Sequence, residues 1–247
     1  MKKILIEFIV IFTILYLSFK YNIDIKNNIN NISMLFITNI LPSMFIFIFI
    51  SNYIKYNICI TNKFVKFISL ALSFSPSNSV LASTDKELLY SSNINPLFAY
   101  SILSLTLSKK ESVIIILTNL IFNYILLYKN IKVSNINNKH KSITELINIT
   151  TNIIINIFGI IIFFNIIISI LNNIINSKYL VLLEITNGFN IIKTLSNKTF
   201  LYSFLYSFNG VAILMQIKSI SNKNIYLLIL YKFIISLIIS ILISIWC

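Results

Sequence analysis

The 247-residue sequence has no arginine, one histidine, two cysteines, three glycines and three prolines. Cys59 and Cys247 lie far apart, and neither has a Cys or His at ligand spacing, so neither a disulfide framework nor a zinc site is supported. Because the lone His140 lies in a polar loop, no Ser–His–Asp set can be assembled. A glycine-rich phosphate loop and a pair of carboxylates at catalytic spacing are also missing. We therefore expect no catalytic residues, no metal and no cofactor.

Charged residues are scarce as well, at 11% of the chain against 57% hydrophobic residues. With a mean hydropathy of +0.87, this balance is outside the range of soluble domains. The formal net charge of +13 comes from lysines at the ends of apolar runs, where they anchor a helix to lipid headgroups. They form no basic face with interleaved aromatic residues. We expect the lipid bilayer as a partner and no binding of nucleic acid.

Apolar runs of about 17–25 residues, long enough to cross a bilayer as helices, recur along the chain. We expect Pro42 to kink the second of them. The first run resembles a signal peptide, but no small-residue cleavage site follows, so we interpret it as a retained span. The predicted uninterrupted spans cover residues 4–19, 33–51, 112–128, 149–171 and 225–246.

Two further apolar regions, residues 67–107 and 179–217, are interrupted rather than continuous. Each lies between spans, so the order of span, broken hairpin and span occurs twice. The sequence predicts an all-α fold: one membrane domain (1–247), a polytopic transmembrane helical bundle with two broken-helix, re-entrant hairpins. Its halves are residues 1–128 and 143–247, and an inverted repeat is one interpretation of the pattern. A homo-oligomer is compatible with this predicted fold.

The longest polar stretch, residues 129–142, contains four lysines and His140 but no acidic residue. The positive-inside rule places this loop in the cytoplasm, together with the Met1-Lys-Lys end. Lys109 and Lys110 then lie on the outer side. We expect a multi-pass protein of the cell membrane.

The scarce prolines and glycines mark the interruptions. The composition is typical of an AT-rich genome, which supplies asparagine freely but glycine and proline rarely, so Pro76, Pro96, Gly188 and Gly210 indicate a backbone requirement. Open backbone at membrane depth is tolerated only where protein or water covers it. Interruptions at corresponding places in two halves are typical of a transporter's central site.

Several polar residues lie at these interruptions. Asn93 and Asn95, beside Pro96, suit a neutral polar solute or a monovalent cation, and the alternative is a kinked helix whose amides cap its ends. Glu184 is costly at membrane depth unless it is paired or hydrated. Its expected partners are Thr186, the backbone before Gly188 or Lys193. The full set of candidate substrate-binding residues is Asn93, Asn95, Pro96, Glu184, Thr186, Asn209 and Gln216.

Two alternatives accompany the C-terminal candidates. Gly210 could serve close helix packing instead of a site. Lys232, within the last span, could snorkel to the interface or pair with a carboxylate.

Four segments of the chain read Ile40-Leu-Pro-Ser-Met-Phe-Ile-Phe, Asn93-Ile-Asn-Pro-Leu-Phe, Leu182-Leu-Glu-Ile-Thr-Asn-Gly and Ser207-Phe-Asn-Gly-Val-Ala-Ile-Leu-Met-Gln. They resemble the YlbJ family of sporulation integral membrane proteins, which belong with the nucleoside-recognition or gate-domain proteins. The resemblance runs over residues 35–240 and implies a role in endospore formation without a well-defined substrate. At the first interruption, where the family has tyrosine-proline-x-glycine-x-lysine, this chain has no glycine and has Val80 in place of the lysine. At the last, only Gly210 remains of two glycines.

The sequence thus predicts a gate-type membrane protein that moves or senses a small polar solute. The alternative is a non-transporting membrane scaffold or assembly factor.

Overall fold

The computed structural model describes residues 12–133, 140–221 and 224–246, and within these ranges the chain is helical without any strand. Four helices are long and apolar enough to cross a membrane: Lys109–Asn130, Ile143–Asn172, Lys198–Ile220 and Tyr226–Ile245. Their outer faces carry half-exposed apolar side chains. This confirms the all-α class and is compatible with a multi-pass protein in contact with a bilayer.

The first of these helices shows how the outer faces are built. Leu117, Ile121 and Ile125 are each more than half exposed. Because they are spaced four residues apart, they form one stripe along the helix. A stripe of this kind is stable in contact with lipid and costly in contact with water.

The N-terminal region is one long helical run with a wide turn inside it. Residues 12–20 are helical, α1 covers Asn22–Leu35, a π-turn covers Phe36–Ile40, and α2 covers Leu41–Asn57. The predicted span 33–51 lies in this run, and Pro42 lies in the first turn of α2. Since proline cannot donate a backbone hydrogen bond, the π-turn before it accommodates the lost bond. Most of the predicted span 4–19 lies outside the described residues.

Short helices fill the first interrupted region: α3 (Lys63–Leu72), α4 (Asn78–Leu81), α5 (Asp85–Ser91) and α6 (Pro96–Leu103). Side chains set where they begin. Asn62 caps α3, Thr84 and Glu87 form a capping box on α5, and Asn95 caps α6 with Pro96 at its first position. The long helix α7 then covers Lys109–Asn130.

The second half begins with the 30-residue helix α8 (Ile143–Asn172), which starts at a capping box of Ser142 and Glu145. A 3-10 turn covers Ser177–Leu180. The remaining helices are α9 (Ile185–Ile192), α10 (Lys198–Phe208), α11 (Gly210–Ile220) and α12 (Ile225–Trp246).

Helices α10 and α11 form one apolar stretch that is interrupted at Asn209, where φ is 76°. The candidate span Lys198–Ile220 therefore lies in the region predicted as the second broken hairpin. The other three coincide with the predicted spans 112–128, 149–171 and 225–246.

The two halves of the chain share a core. Helix α10 packs extensively on α12, α8 packs on α1, α2 and α11, and α5 packs on α7. The main apolar cluster joins residues from both halves, including Leu103, Ile115, Phe189, Tyr202 and Ile239, all fully buried. This arrangement brings the interrupted segments of both halves into the interior.

Candidate functional site

The interruptions of the first half touch each other and one interruption of the second half. The backbone N–H of Ser75 donates to the carbonyl of Asn93 at 2.8 Å. The amide nitrogen of Asn209 donates to the carbonyl of Ser92 at 2.5 Å. These two bonds join residues that are far apart in sequence.

The two interruptions of the second half are joined by backbone bonds. The N–H groups of Val211 and Ala212, at the start of α11, donate to the carbonyls of Leu182 and Leu183, both at 2.9 Å. Gly210 has a φ of 74°, and a Cβ there would lie 3.4 Å from the nitrogen of Ile185. All four interruptions of the chain therefore meet in one connected region.

A buried polar cluster lies at this meeting point, and we call it the central cluster. Every member is at most 2% exposed. It consists of Ser92, Asn93, Asn119, Asn123, Ser207, Asn209 and Lys232.

Helix α7 supplies two amides that connect the cluster. Asn119 and Asn123 are four residues apart and share one helix face. The amide nitrogen of Asn123 donates to the side-chain oxygens of Asn93 at 3.0 Å and Asn119 at 2.9 Å. Asn119 in turn donates to the hydroxyl of Ser207 on α10. The sequence did not single out these α7 amides, although two asparagines at helical spacing in an apolar span are a usable signal.

Lys232 supplies an amine group to the cluster. Its side chain is 1% exposed, and its Nζ donates to the carbonyl of Ser92 at 2.8 Å, the oxygen that also accepts from Asn209. Among the described residues no carboxylate lies within 4 Å of it. Lys232 therefore contacts a backbone carbonyl, and not a carboxylate or the lipid headgroups, which were the two partners expected from the sequence. An ionisable group buried in this way within a membrane span is typical of a functional site.

Two amide oxygens of the cluster, those of Asn123 and Asn209, are buried without a hydrogen-bond partner in the described structure. The amide oxygen of nearby Asn78 also has no hydrogen-bond partner there, although the amide nitrogen of this residue donates to Ser91 at 2.8 Å. Leaving a buried acceptor unpaired costs about 1–3 kcal/mol. Unpaired acceptors of this kind indicate positions where a bound molecule or water supplies donors.

Glu184 lies beside the cluster and caps helix α9. It is 4% exposed, and its Oε2 accepts from the backbone N–H of Asn187 at 3.0 Å and from the hydroxyl of Thr186. Thr186 and the backbone before Gly188, here the N–H of Asn187, were two of its three expected partners. The positive end of the α9 dipole also favours this carboxylate. The hydrogen bonds described for Glu184 are therefore those of a helix cap.

The remaining candidate residues lie at the border of the cluster or away from it. Asn95 is half-buried and caps α6 by accepting from Leu97 N–H at 2.9 Å. With Ser75 and Pro76 it lines a small cavity of about 30 Å³, large enough for one water molecule. Gln216 is buried in α11, roughly 9 Å along the helix from Gly210. No hydrogen bond between Gln216 and the cluster is present among the described contacts.

A buried ion pair outside the cluster was not predicted from the sequence. The Nζ of Lys66 lies 2.8 Å from Oε1 of Glu87, and both side chains are at most 5% exposed. Lys66 also donates to the Ser83 hydroxyl and the Lys132 carbonyl, and Glu87 accepts from the N–H groups of Ser83 and Lys132. Burial by itself raises the pKa of Glu87, but these hydrogen bonds together hold it below the ordinary value. The capping-box spacing of Thr84 and Glu87 was the available signal.

Within the described ranges, no three His, Cys, Asp or Glu side chains lie close enough to hold a metal ion. Comparisons with protein-family models, with curated proteins and with solved structures found no match to this chain.

Proposed function

We propose that this protein is a gate-type polytopic membrane protein whose central cluster binds a small polar solute, either to move it or to sense it. The observation that carries the proposal is the meeting of four chain interruptions around a buried lysine and unpaired amide oxygens. Discontinuous helices with polar groups at membrane depth are typical of solute sites in transporters.

The two re-entrant hairpins, residues 67–107 and 179–217, and the inverted repeat belong to the same proposal. Each region lies between long helices. Each contains an eight-residue helix, α6 or α9, that begins at a capping side chain, Asn95 or Glu184. The similarity of these two helices supports a common unit in both halves.

The chemistry of the cluster suggests what the solute must offer. The oxygens of Asn123 and Asn209 require hydrogen-bond donors, and the Nζ of Lys232, which is itself a donor, favours an acceptor. A small solute with hydroxyl or amine donors and an acceptor group satisfies both. Because every cluster residue is at most 2% exposed, such a solute enters only after the surrounding segments move. The structure thus resembles a closed gate.

Opening of the gate is testable without knowing the solute. We would introduce Ser207→Cys into a Cys59→Ser, Cys247→Ser background and measure modification by the anionic, water-soluble reagent sulfonatoethyl methanethiosulfonate in proteoliposomes. The matched control is Ser240→Cys, which is equally buried and roughly 12 Å beyond Lys232 on α12. We expect modification of Ser207→Cys at least about tenfold faster, which corresponds to a difference of 1.4 kcal/mol in opening. Equal resistance of both variants would contradict the proposal.

The alternative function, a non-transporting scaffold or assembly factor, is favoured by one observation: Glu184 and Asn95 are both engaged as helix caps. Uptake of ribose, uridine and serine by proteoliposomes separates the two functions. A gate that moves its solute predicts uptake above that of empty liposomes, lost in Lys232→Met and kept in the exposed control Lys198→Met, and a gate that only senses it predicts binding of the solute without uptake. A scaffold predicts no uptake.

The role in endospore formation, which the resemblance implies, is part of the proposal. Deletion of the gene in its own host should lower the yield of spores, and the wild-type gene should restore it. If Glu184→Gln and Lys232→Met both restore spores fully, neither the Glu184 carboxylate nor the Lys232 amine of the cluster is required, and the scaffold function is favoured.

A further inference from the structure

A second cavity, separate from the central cluster, lies at one end of the helical bundle. It has a volume of about 840 Å³ and is formed by α5, the end of α7 and the start of α12. Because α7 and α12 are candidate spans and the cavity lies at their ends, it is at the level where lipid headgroups are found.

The wall of this cavity combines positive charge with apolar surface. Lys86, Lys129 and Lys132 contribute three ammonium groups, and Asp85 contributes one carboxylate, so the lining is net positive. Leucines form its apolar part, and Leu227 of α12, which is 45% exposed, presents most of that surface. This division matches a molecule with an anionic head and a hydrocarbon tail.

Two features make the cavity a formed site. The backbone of Lys132 is held on both sides, because its N–H donates to Glu87 at 2.8 Å and its carbonyl accepts from Lys66 at 2.6 Å. Burial raises the pKa of Tyr90 in the wall, and neighbouring Tyr231 raises it further, so this hydroxyl keeps its proton and remains a donor. The rim is thus anchored and offers donors to an anion.

We infer that this cavity binds the headgroup of an anionic phospholipid from the surrounding leaflet. The lysines pair with the phosphate, the tyrosine hydroxyls donate to its oxygens, and the leucines contact the first carbons of the acyl chains. The site lies at the same end as the lysine-rich loop 129–142, for which the positive-inside rule predicts the cytoplasmic side. Cytoplasmic leaflets carry anionic lipid, so the partner would be present there.

The inference is tested by titrating phosphatidylglycerol into the purified full-length protein and measuring bound lipid by native mass spectrometry. The test variant is Lys86→Gln, Lys129→Gln, Lys132→Gln. The matched control is Lys109→Gln, Lys110→Gln, Lys198→Gln, which removes the same charge from exposed lysines at the other end of the bundle, at the start of α7 and at the start of α10 beside Ser244 of α12. From the contribution of each lysine near an anionic headgroup, we expect the test variant to weaken binding on the order of 100-fold. The control should change it by less than about threefold.

Several results would overturn the inference. Equal weakening in the two triple variants would mean unspecific attraction by total charge. Equal affinity for phosphatidylcholine would exclude recognition of the anionic head. If soluble glycerol phosphate bound as tightly as the lipid, the site would serve a free phosphate compound. Thermal unfolding of both variants in detergent establishes that they are folded.

Discussion

At the scale of single residues, this protein accommodates buried charge in two ways. Lys66 and Glu87 neutralise each other, and further hydrogen bonds satisfy the remaining N–H donors of the ammonium group and the second oxygen of the carboxylate. Glu184 and Lys232 have no oppositely charged partner within 4 Å among the described residues. Glu184 instead accepts a hydrogen bond from the N-terminus of α9, and Lys232 donates one to the carbonyl of Ser92. The first arrangement is typical of structural pairs. In the second, Glu184 acts as a helix cap, whereas a buried lysine such as Lys232 is typical of a functional site.

Removal of one partner of the structural pair should be strongly destabilising. We expect Lys66→Met to lower the free energy of unfolding by about 3–5 kcal/mol, because it leaves the Glu87 carboxylate buried without its counter-charge. Thermal or denaturant unfolding in detergent measures this. The control Lys110→Met, at an exposed position, should stay within about 0.5 kcal/mol of the wild type. A loss below about 1 kcal/mol in Lys66→Met would contradict a structural role for the pair.

The same pair predicts a pH dependence of stability. Burial alone raises the pKa of Glu87, but its hydrogen bonds hold the folded-state pKa below the ordinary 4.5. The unfolded chain therefore takes up the proton at a higher pH than the folded protein does. The contribution of Glu87 is complete above its ordinary pKa and is lost as pH falls through the lowered folded pKa.

We expect acidification from about pH 6 to about pH 3 to destabilise the wild type more steeply than Glu87→Gln. Unfolding midpoints in detergent at a series of pH values give the two curves. Parallel curves would show that Glu87 does not titrate differently in the folded and unfolded states.

At the scale of elements, close backbone approach determines how the interrupted helices pack. A Cβ at Gly188 would overlap the carbonyl oxygen of Val181 and lie 2.5 Å from a methyl carbon of Leu205. Helix α9 thus sits directly against the preceding segment and α10. Gly159 in α8 differs, since nothing lies within 4 Å of a Cβ there.

These two glycines form a matched pair for mutation. We expect Gly188→Ala to destabilise the protein by about 1–3 kcal/mol, because the added methyl overpacks the contact. Gly159→Ala should be neutral or stabilise by up to about 1 kcal/mol, because alanine is the better helix former in an open helical position. Unfolding midpoints of both variants in one detergent decide the question. Similar midpoints would show that the α9 contact is not tight.

At the scale of the whole molecule, contacts between segments identify which of them share one end of the bundle. The side chain of Asn57 forms reciprocal hydrogen bonds with the backbone of Lys141, at 3.0 and 3.1 Å. The exposed thiol of Cys59 follows directly after α2, so it lies at the same end as the loop 129–142. Lys110 is the second residue of α7 and therefore lies at the other end of that helix from the loop 129–142.

Labelling of cysteines tests the predicted orientation. In a Cys247→Ser background, a membrane-impermeant maleimide should reach Cys59 only after the cells are permeabilised, because the positive-inside rule places this end in the cytoplasm. Lys110→Cys, in a background that also carries Cys59→Ser, should be labelled in intact cells. The reverse pattern would mean the opposite orientation.

The sequence by itself determined the helical class, three of the four candidate spans and the positions of the interruptions. Hydrophobic run length, proline and glycine are local properties, and lipid allows few alternatives for an apolar run of that length. It also identified Asn93, Asn209 and Glu184 as polar residues at interruptions.

Only the tertiary structure decided which of these residues act together. Asn93 and Asn209 belong to one cluster with Asn119, Asn123 and Lys232, whereas Glu184 and Asn95 cap helices. It also paired Lys66 with Glu87, 21 residues away. The physical reason is that a hydrogen bond depends on separation in space. Contacts across 117 and 140 residues, such as those of Asn209 and Lys232 with Ser92, leave no periodic trace in the chain.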